Sequence, residues 1–151
     1  MTDLGQLVRS LNELYRLSGS AKVHADTVRR TGVQVSQTGL RTLSLVEDSP
    51  RVTATEVGVT LDVSQPTASR TLQQLESDGL VTRLASDTDG RVSHYVTTAK
   101  GKRALAKVHQ YHVDRLAEAL HGADTALLAG AVTELVHRFT ESANPRRRRT
   151  A

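Results

Sequence analysis

The residues best suited to chemistry in this sequence are short and polar, and they share one projected helix. Over residues 64–77 a step of about 100° per residue gathers Ala68, Leu72 and Leu75 on one side. Pro66, Ser69, Arg70, Gln73 and Ser77 gather on the other. The outward side offers hydroxyls, amides and one guanidinium instead of a lattice of Lys and Glu. Gln and Arg can form paired hydrogen bonds with base edges in a major groove, and hydroxyls can bond phosphates. The chemistry expected of this face is recognition by hydrogen bonding, without bond making. A solvated helix exterior is the ordinary use of such residues, so the flanking segments decide between the two.

Those flanks position the face. Ser64 is a good N-cap, and Pro66 falls in the first turn, where a missing amide hydrogen costs nothing. Glu76 and Asp78 lie at the far end, away from any polyanion, and Gly79 supplies the stop. Upstream, Thr53 and Glu56 have capping-box spacing and precede Val57 and Leu61, which predicts a short helix. Asp62 between the two helices tolerates a left-handed conformation, so the chain can bend sharply there. Two helices joined by a tight turn make a helix-turn-helix. Downstream, residues 80–86 and 92–98 are β-prone runs separated by the turn-forming DTDGR, which predicts a hairpin. Arg91 sits at its tip, where a narrow minor groove would attract it, and Asp89 can hold its guanidinium in place. An exposed turn ion pair is the competing use of those two residues.

Taken together, residues 53–61 and 63–84, the Asp89 and Arg91 hairpin, and the Thr98, Lys100, Gly101 start of the next helix resemble the MarR family of bacterial winged-helix regulators. The resemblance spans residues 40–105, and SRTLQQLESDGLVTR is its most specific part. Gly58, Asp62 and Thr97 depart from the family's usual Ala, Gly and Leu, and none of the three removes a polar group from the outward face. The resemblance implies a mainly α fold with a small β-hairpin, a winged helix-turn-helix flanked by N- and C-terminal dimerisation helices. It further implies a homodimer that represses transcription from a palindromic double-stranded DNA operator until a small effector, often aromatic or phenolic, releases it. The residues expected on DNA are Thr53, Ser64, Gln65, Pro66, Thr67, Ser69, Arg70, Gln73, Arg83, Asp89 and Arg91. By position, Tyr15, Arg16, His24, Arg41 and Tyr111 are candidates to line an effector cleft, with Arg or His meeting a carboxylate; a surface or core role is the ordinary alternative for each.

The remaining elements follow from periodicity. Leu4, Leu7, Val8, Leu11, Leu14 and Tyr15 recur at helical spacing and predict one long first helix to about Arg30, ended by Gly32. Ser36 then caps a helix carrying Leu40, Leu43 and Val46 that stops before Pro50. From Thr98 a long helix with Leu105, Val108, Leu116 and Leu120 inward ends near Gly122. A last helix carries Leu127, Leu128, Val132, Leu135, Val136 and Phe139. The expected organisation is a dimerisation segment over 1–35, the winged helix-turn-helix over 36–98, further dimerisation helices over 99–143 and a disordered Arg-rich tail over 144–151. The terminal helices carry more apolar surface than a small wing domain can cover, so a two-fold dimer is the economical arrangement. Its operator half-sites would lie about 34 Å apart.

Composition bounds the rest. A chain of 151 residues with 38% hydrophobic and 3% aromatic content can build one aliphatic core. The net charge of +4 equals the four arginines at 146–149, and everything else balances. The basic character is therefore a property of the tail, which can add salt-sensitive attraction to phosphates or simply solubilise the end. No cysteine is present, which excludes disulfides, cysteine zinc sites and thiol switches. No apolar run approaches the ~18 residues of a membrane span, and no leader pattern opens the sequence, so a cytoplasmic, nucleoid-associated protein is expected.

Enzymatic function is not expected. His109 and His112 stand three apart on one helix, and His24 can approach them from the first, but no cysteine or HExxH pattern adds to that set as a metal site. The nucleophile elbow GxSxG and glycine-rich phosphate loops are missing. Neither a cofactor nor a metal is expected. The competing function is a non-sensing architectural DNA-binding protein that works mainly through its arginine tail.

Overall fold

A computed structural model of the chain describes residues 2–85 and 93–143. Among them, in order, are α1 (Asp3–Ser18), α2 (Ala21–Thr31), α3 (Gln37–Asp48), α4 (Ala54–Leu61), α5 (Gln65–Ser77), β1 (Val81–Ala85), β2 (Ser93–Thr97), α6 (Ala99–Ala119) and α7 (Thr125–Ala143). The mainly α architecture with one small hairpin is the expected one.

One expectation needs correction. The single first helix to Arg30 is two helices, because the Gly19 N–H closes α1 on the Tyr15 carbonyl at 3.1 Å. Ser20 then starts α2, its hydroxyl accepting the Val23 N–H at 3.3 Å. Helical spacing of apolar residues continues across the break, so periodicity does not reveal it. Gly32 ends α2 in the left-handed conformation, with φ 70°.

The core gathers where α3, α4, α5 and the hairpin meet. Leu43, Val46, Val57, Leu72, Leu75 and Val81 are almost wholly buried, and Tyr95 is the aromatic residue among the buried set. Ala68, Leu72 and Leu75 supply the inward stripe of α5, as its helical spacing requires. The hairpin is antiparallel, from Val81 opposite Thr97 to Ala85 opposite Ser93. Val52, just before α4, adds a bridge on the other edge of β2, with the Tyr95 N–H donating to the Val52 carbonyl at 2.8 Å. Sequence patterning does not predict that bridge, because a single residue has no alternation to recognise.

Behind the hairpin, α6 approaches very closely. Thr98 donates its hydroxyl to the Gly79 carbonyl at 2.7 Å and accepts the Gly101 N–H at 3.1 Å. The side chain of Lys100 reaches the Asp78 carbonyl at 2.7 Å. The start of α6 is thus fastened to the end of α5.

The terminal helices are different. No residue of α1 is buried, and Leu4, Leu14 and Tyr15 are 74%, 63% and 83% exposed. On α7, Leu127, Val132, Val136 and Phe139 are exposed as well. Of the inward set expected on α6, Val108 is buried and Leu105 packs on the core, whereas Leu116 is exposed. The chain divides into two compact units between His112 and Val113, within α6. Among the described residues no helix is long and apolar enough to cross a membrane.

Candidate nucleic-acid interface and ligand cavity

The helix-turn-helix is built by local chemistry. Thr53 and Glu56 form a complete capping box: the Glu56 N–H donates to Thr53 Oγ1 at 3.2 Å, and the Thr53 N–H donates to Glu56 Oε2 at 2.7 Å. The Thr53 hydroxyl also donates to the same carboxylate oxygen at 2.9 Å. At the turn, Asp62 adopts φ 53° and ψ 51°. It is the non-glycine residue with positive φ among the described ones, and its short side chain makes that conformation accessible. The second helix starts on Ser64, whose hydroxyl accepts the Thr67 N–H at 3.3 Å. Gln65 ties the two helices together by donating to Thr55 Oγ1 at 3.3 Å.

The capping box is measurable by itself. Hydrogen bonds from the Thr53 N–H and then the Thr53 hydroxyl hold the Glu56 carboxyl below its usual pKa. A depressed carboxylate contributes stability above its unfolded-state pKa and loses it as pH falls through the folded value. Removing the cap by Thr53→Ala should cost about 1 kcal/mol of stability. Glu56→Gln should show its largest deficit at neutral pH and a shrinking one as acidification passes through and below the ordinary carboxylate range. Urea denaturation across that range checks both, and a deficit for Glu56→Gln that does not change with pH would remove the carboxylate from the account.

On the outer side of α5, Gln65, Pro66, Thr67, Arg70 and Gln73 are exposed, and Ser69 is half-buried. Arg70 forms no ion pair or side-chain hydrogen bond among the described residues. Ser64 and Thr53 stand at the N-termini of α5 and α4, with their hydroxyls engaged in caps. At the far end Gly79 takes φ 69°, and the Leu80 N–H closes on the Leu75 carbonyl at 2.8 Å. Arg83 lies on β1 and donates from Nε to Ser93 Oγ across the hairpin at 2.6 Å. Asp89 and Arg91 fall outside the described residues, as does the 146–149 tail.

A cavity of about 530 Å³ opens between α2, α3 and the first half of α6. His24 and Arg41 line it, whereas Tyr15, Arg16 and Tyr111 do not. Arg16 is bonded to Glu13 at 2.6 Å on the surface of α1. Tyr111 donates its hydroxyl to the Asp26 carboxylate, which Arg29 also meets. Those partners, the tyrosine hydroxyl foremost, hold the Asp26 carboxyl below its usual pKa. Sequence reading did not assign Gln37, Ser44 and Glu47 to a cleft, yet they line this one; their separation from α6 in the chain hides the grouping. His24, His109 and His112 all line it too, but among the described residues no three His, Asp or Glu side chains group closely enough to hold a metal ion.

Comparison with known proteins agrees with this architecture. The family model described as "MarR family" matches residues 32–92, from the end of α2 into the hairpin. No curated protein sequence matches the chain. The fold is similar to that of Streptococcus pneumoniae FabT crystallised in complex with DNA, at 22% identity and TM-score 0.67, covering 94% of this chain and all of that one. It is also similar to the transcriptional regulator BldR from Sulfolobus solfataricus, at 17% identity and TM-score 0.64, covering 91% and 99% of the two chains. The Multiple Antibiotic Resistance Repressor, MarR, compares at 19% identity and TM-score 0.66, covering 89% and 96%. The helix-turn-helix lies wholly within the residues that match the MarR family model.

Proposed function

We propose that the protein is a homodimeric, sequence-specific regulator of transcription that binds double-stranded DNA and represses it in the cytoplasm at the nucleoid. The observation that carries this reading is the α4, Asp62, α5 corner, which leaves Gln65, Pro66, Thr67, Arg70 and Gln73 exposed on one side of a rigid helix. A helix held at both ends and packed along Ala68, Leu72 and Leu75 can enter a major groove without losing its own packing. Gln65, Arg70 and Gln73 then read base edges, while Ser64, Thr67, Ser69 and Thr53 bond the backbone around them. Arg83 follows along the hairpin, and Arg91, steadied by Asp89, takes the minor groove. In a two-fold dimer the operator is a palindrome. The 36–98 region makes the DNA contacts, and 1–35 and 99–143 supply assembly.

Release is assigned to an aromatic or phenolic effector in the cavity between α2, α3 and α6, where Arg41 and His24 can meet its anionic group. Occupancy acts by favouring an arrangement in which the two recognition helices are wrongly spaced. Its effect is limited by the effector's differential affinity for the two arrangements.

Selection of bound duplexes from a random library, followed by titration at fixed salt, tests the DNA assignment. Arg70→Ala should weaken binding to the selected duplex by about 1–3 kcal/mol and relax preference at the bases it contacts, with dimer mass unchanged. Arg91→Ala should also weaken binding. Undiminished affinity in both variants would refute these roles. Deleting 146–149 should cost less than either; a near-total loss with no sequence preference in the parent would favour an architectural binder.

A further inference from the structure

A second cavity, of about 420 Å³, lies between the segment after α2, the end of α5 and the start of α6. Its walls are of two kinds. Val33, Val35, Leu80 and Ala104 are buried core residues that also line it. Lys100, Arg103 and Lys107 line it from α6, at helical spacings of three and four, against a single carboxylate, Asp78. That carboxylate already accepts from the Gln74 amide at 3.0 Å, and Lys100 is held on the Asp78 main-chain carbonyl. Arg103 and Lys107 have no ion pair or side-chain hydrogen bond among the described residues. Gln34, on the opposite wall, likewise makes no hydrogen bond there.

The concentration of charge is not a reflection of the whole molecule, because the chain outside 146–149 has no net charge. Residues four apart on a helix face the same way, about 5–6 Å between Cβ atoms, so Arg103 and Lys107 can converge on one group. A guanidinium fork beside an ammonium suits a tetrahedral or planar dianion. Apolar side chains line the same cavity as the basic ones, a mixed lining that suits a ligand with an apolar body and an anionic end better than a bare ion. The concave shape and size favour a small molecule over the continuous backbone of a nucleic acid.

We propose that this cavity is a binding site for a small organic dianion, a phosphate monoester or dicarboxylate, carried on an apolar body of about one aromatic ring. Arg103 and Lys107 hold the anionic end, Gln34 donates to it from the opposite wall, and Val33, Val35 and Leu80 cover the body. The site is separate from the cavity of Arg41 and His24, and it does not depend on the assignment of DNA binding.

The test is calorimetric titration of the full chain with phenyl phosphate, phenol and inorganic phosphate. Phenyl phosphate should bind once per chain and more tightly than either half of it. Amide resonances of Val33, Gln34 and Leu80 should shift on binding. The double variant Arg103→Gln, Lys107→Gln should weaken binding by at least about tenfold, and Arg30→Gln, on the exposed end of α2, should not. Absence of phenyl phosphate binding would overturn the proposal, as would a double variant with unchanged affinity. Loss of binding on Arg41→Gln in place of the double variant would move the ligand to the other cavity and overturn it too. If the double variant weakens duplex DNA and leaves phenyl phosphate untouched, the pair belongs to the DNA backbone and the proposal fails.

Discussion

Glutamate at both Leu7 and Leu11 should abolish the proposed homodimer at micromolar concentration, with the winged region still folded. Both side chains lie on the apolar stripe of α1, a helix that buries none of its residues within the chain. Leu7 and Leu11 are 44% and 37% exposed, so a partner can still bury about four-tenths of a side chain whose full burial gains roughly 1.5–3 kcal/mol. Two such losses, with two unpaired carboxylates at the former contact, should raise the dimer dissociation constant by more than about a thousandfold. Light scattering coupled to size exclusion gives the mass, and circular dichroism checks that the helices remain. Because the core shared by α3, α4, α5, the hairpin and α6 includes no residue of α1, affinity for the proposed operator should collapse through lost pairing of half-sites while each monomer keeps its fold. Arg70→Ala reports on the opposite step, with DNA affinity reduced and dimer mass intact. A double-glutamate variant that keeps the dimer mass would take α1 out of the interface.

Gly101→Ala should be the most damaging glycine-to-alanine change among the described residues. An added Cβ would stand 2.1 Å from the Leu80 carbonyl oxygen and 2.7 Å from Thr97 Cγ2. The first of these is backbone, and it cannot swing aside as a side chain can. That same carbonyl accepts the Thr98 N–H at 3.0 Å, so displacing it also strains the joint between α5 and α6. Overpacking of this kind costs about 1–3 kcal/mol and more where the neighbour is fixed. The gain from replacing glycine by alanine in a helix is about 1 kcal/mol, so the net change should be a loss of about 2 kcal/mol or more. Urea unfolding measures it; an equal or raised midpoint would show that α6 has room to retreat. Since Thr98 and Lys100 hold the Gly79 and Asp78 carbonyls just beyond α5, DNA affinity should fall along with stability.

Much of the architecture was legible because its signals are local. Ser36, Thr53 and Ser64 each cap the helix that follows them, and the hydroxyl of a cap acts only two or three residues ahead. Asp62 turns the chain in a left-handed conformation for a reason contained in its own side chain. The inward stripe of α5 follows from the helical repeat alone. The division between α1 and α2 was also written locally, in Gly19 and Ser20, but a continuing apolar period masked it.

Other features depend on which distant segments come together, and no local repeat records that. Val52 pairs with Tyr95 because the core of α3, α4 and α5 brings them to one sheet edge. His24, Arg41 and His109 share a cavity while Tyr15 and Tyr111 do not, since the break at Gly19 starts α2 on its own cap and Tyr111 is drawn to Asp26. Residues 100, 103 and 107 are a basic helix face in the sequence, indistinguishable from a solvated one. Only the packing of α6 against the segment after α2 sets that face over an apolar floor. Sequence by itself determined the helix-turn-helix, its caps, its turn and its outward polar groups, because each is fixed within about one helical turn of chain. Tertiary structure alone decided the cavities, the contact at Gly101 and the uncovered stripes, because burial is a property of segments that meet in space.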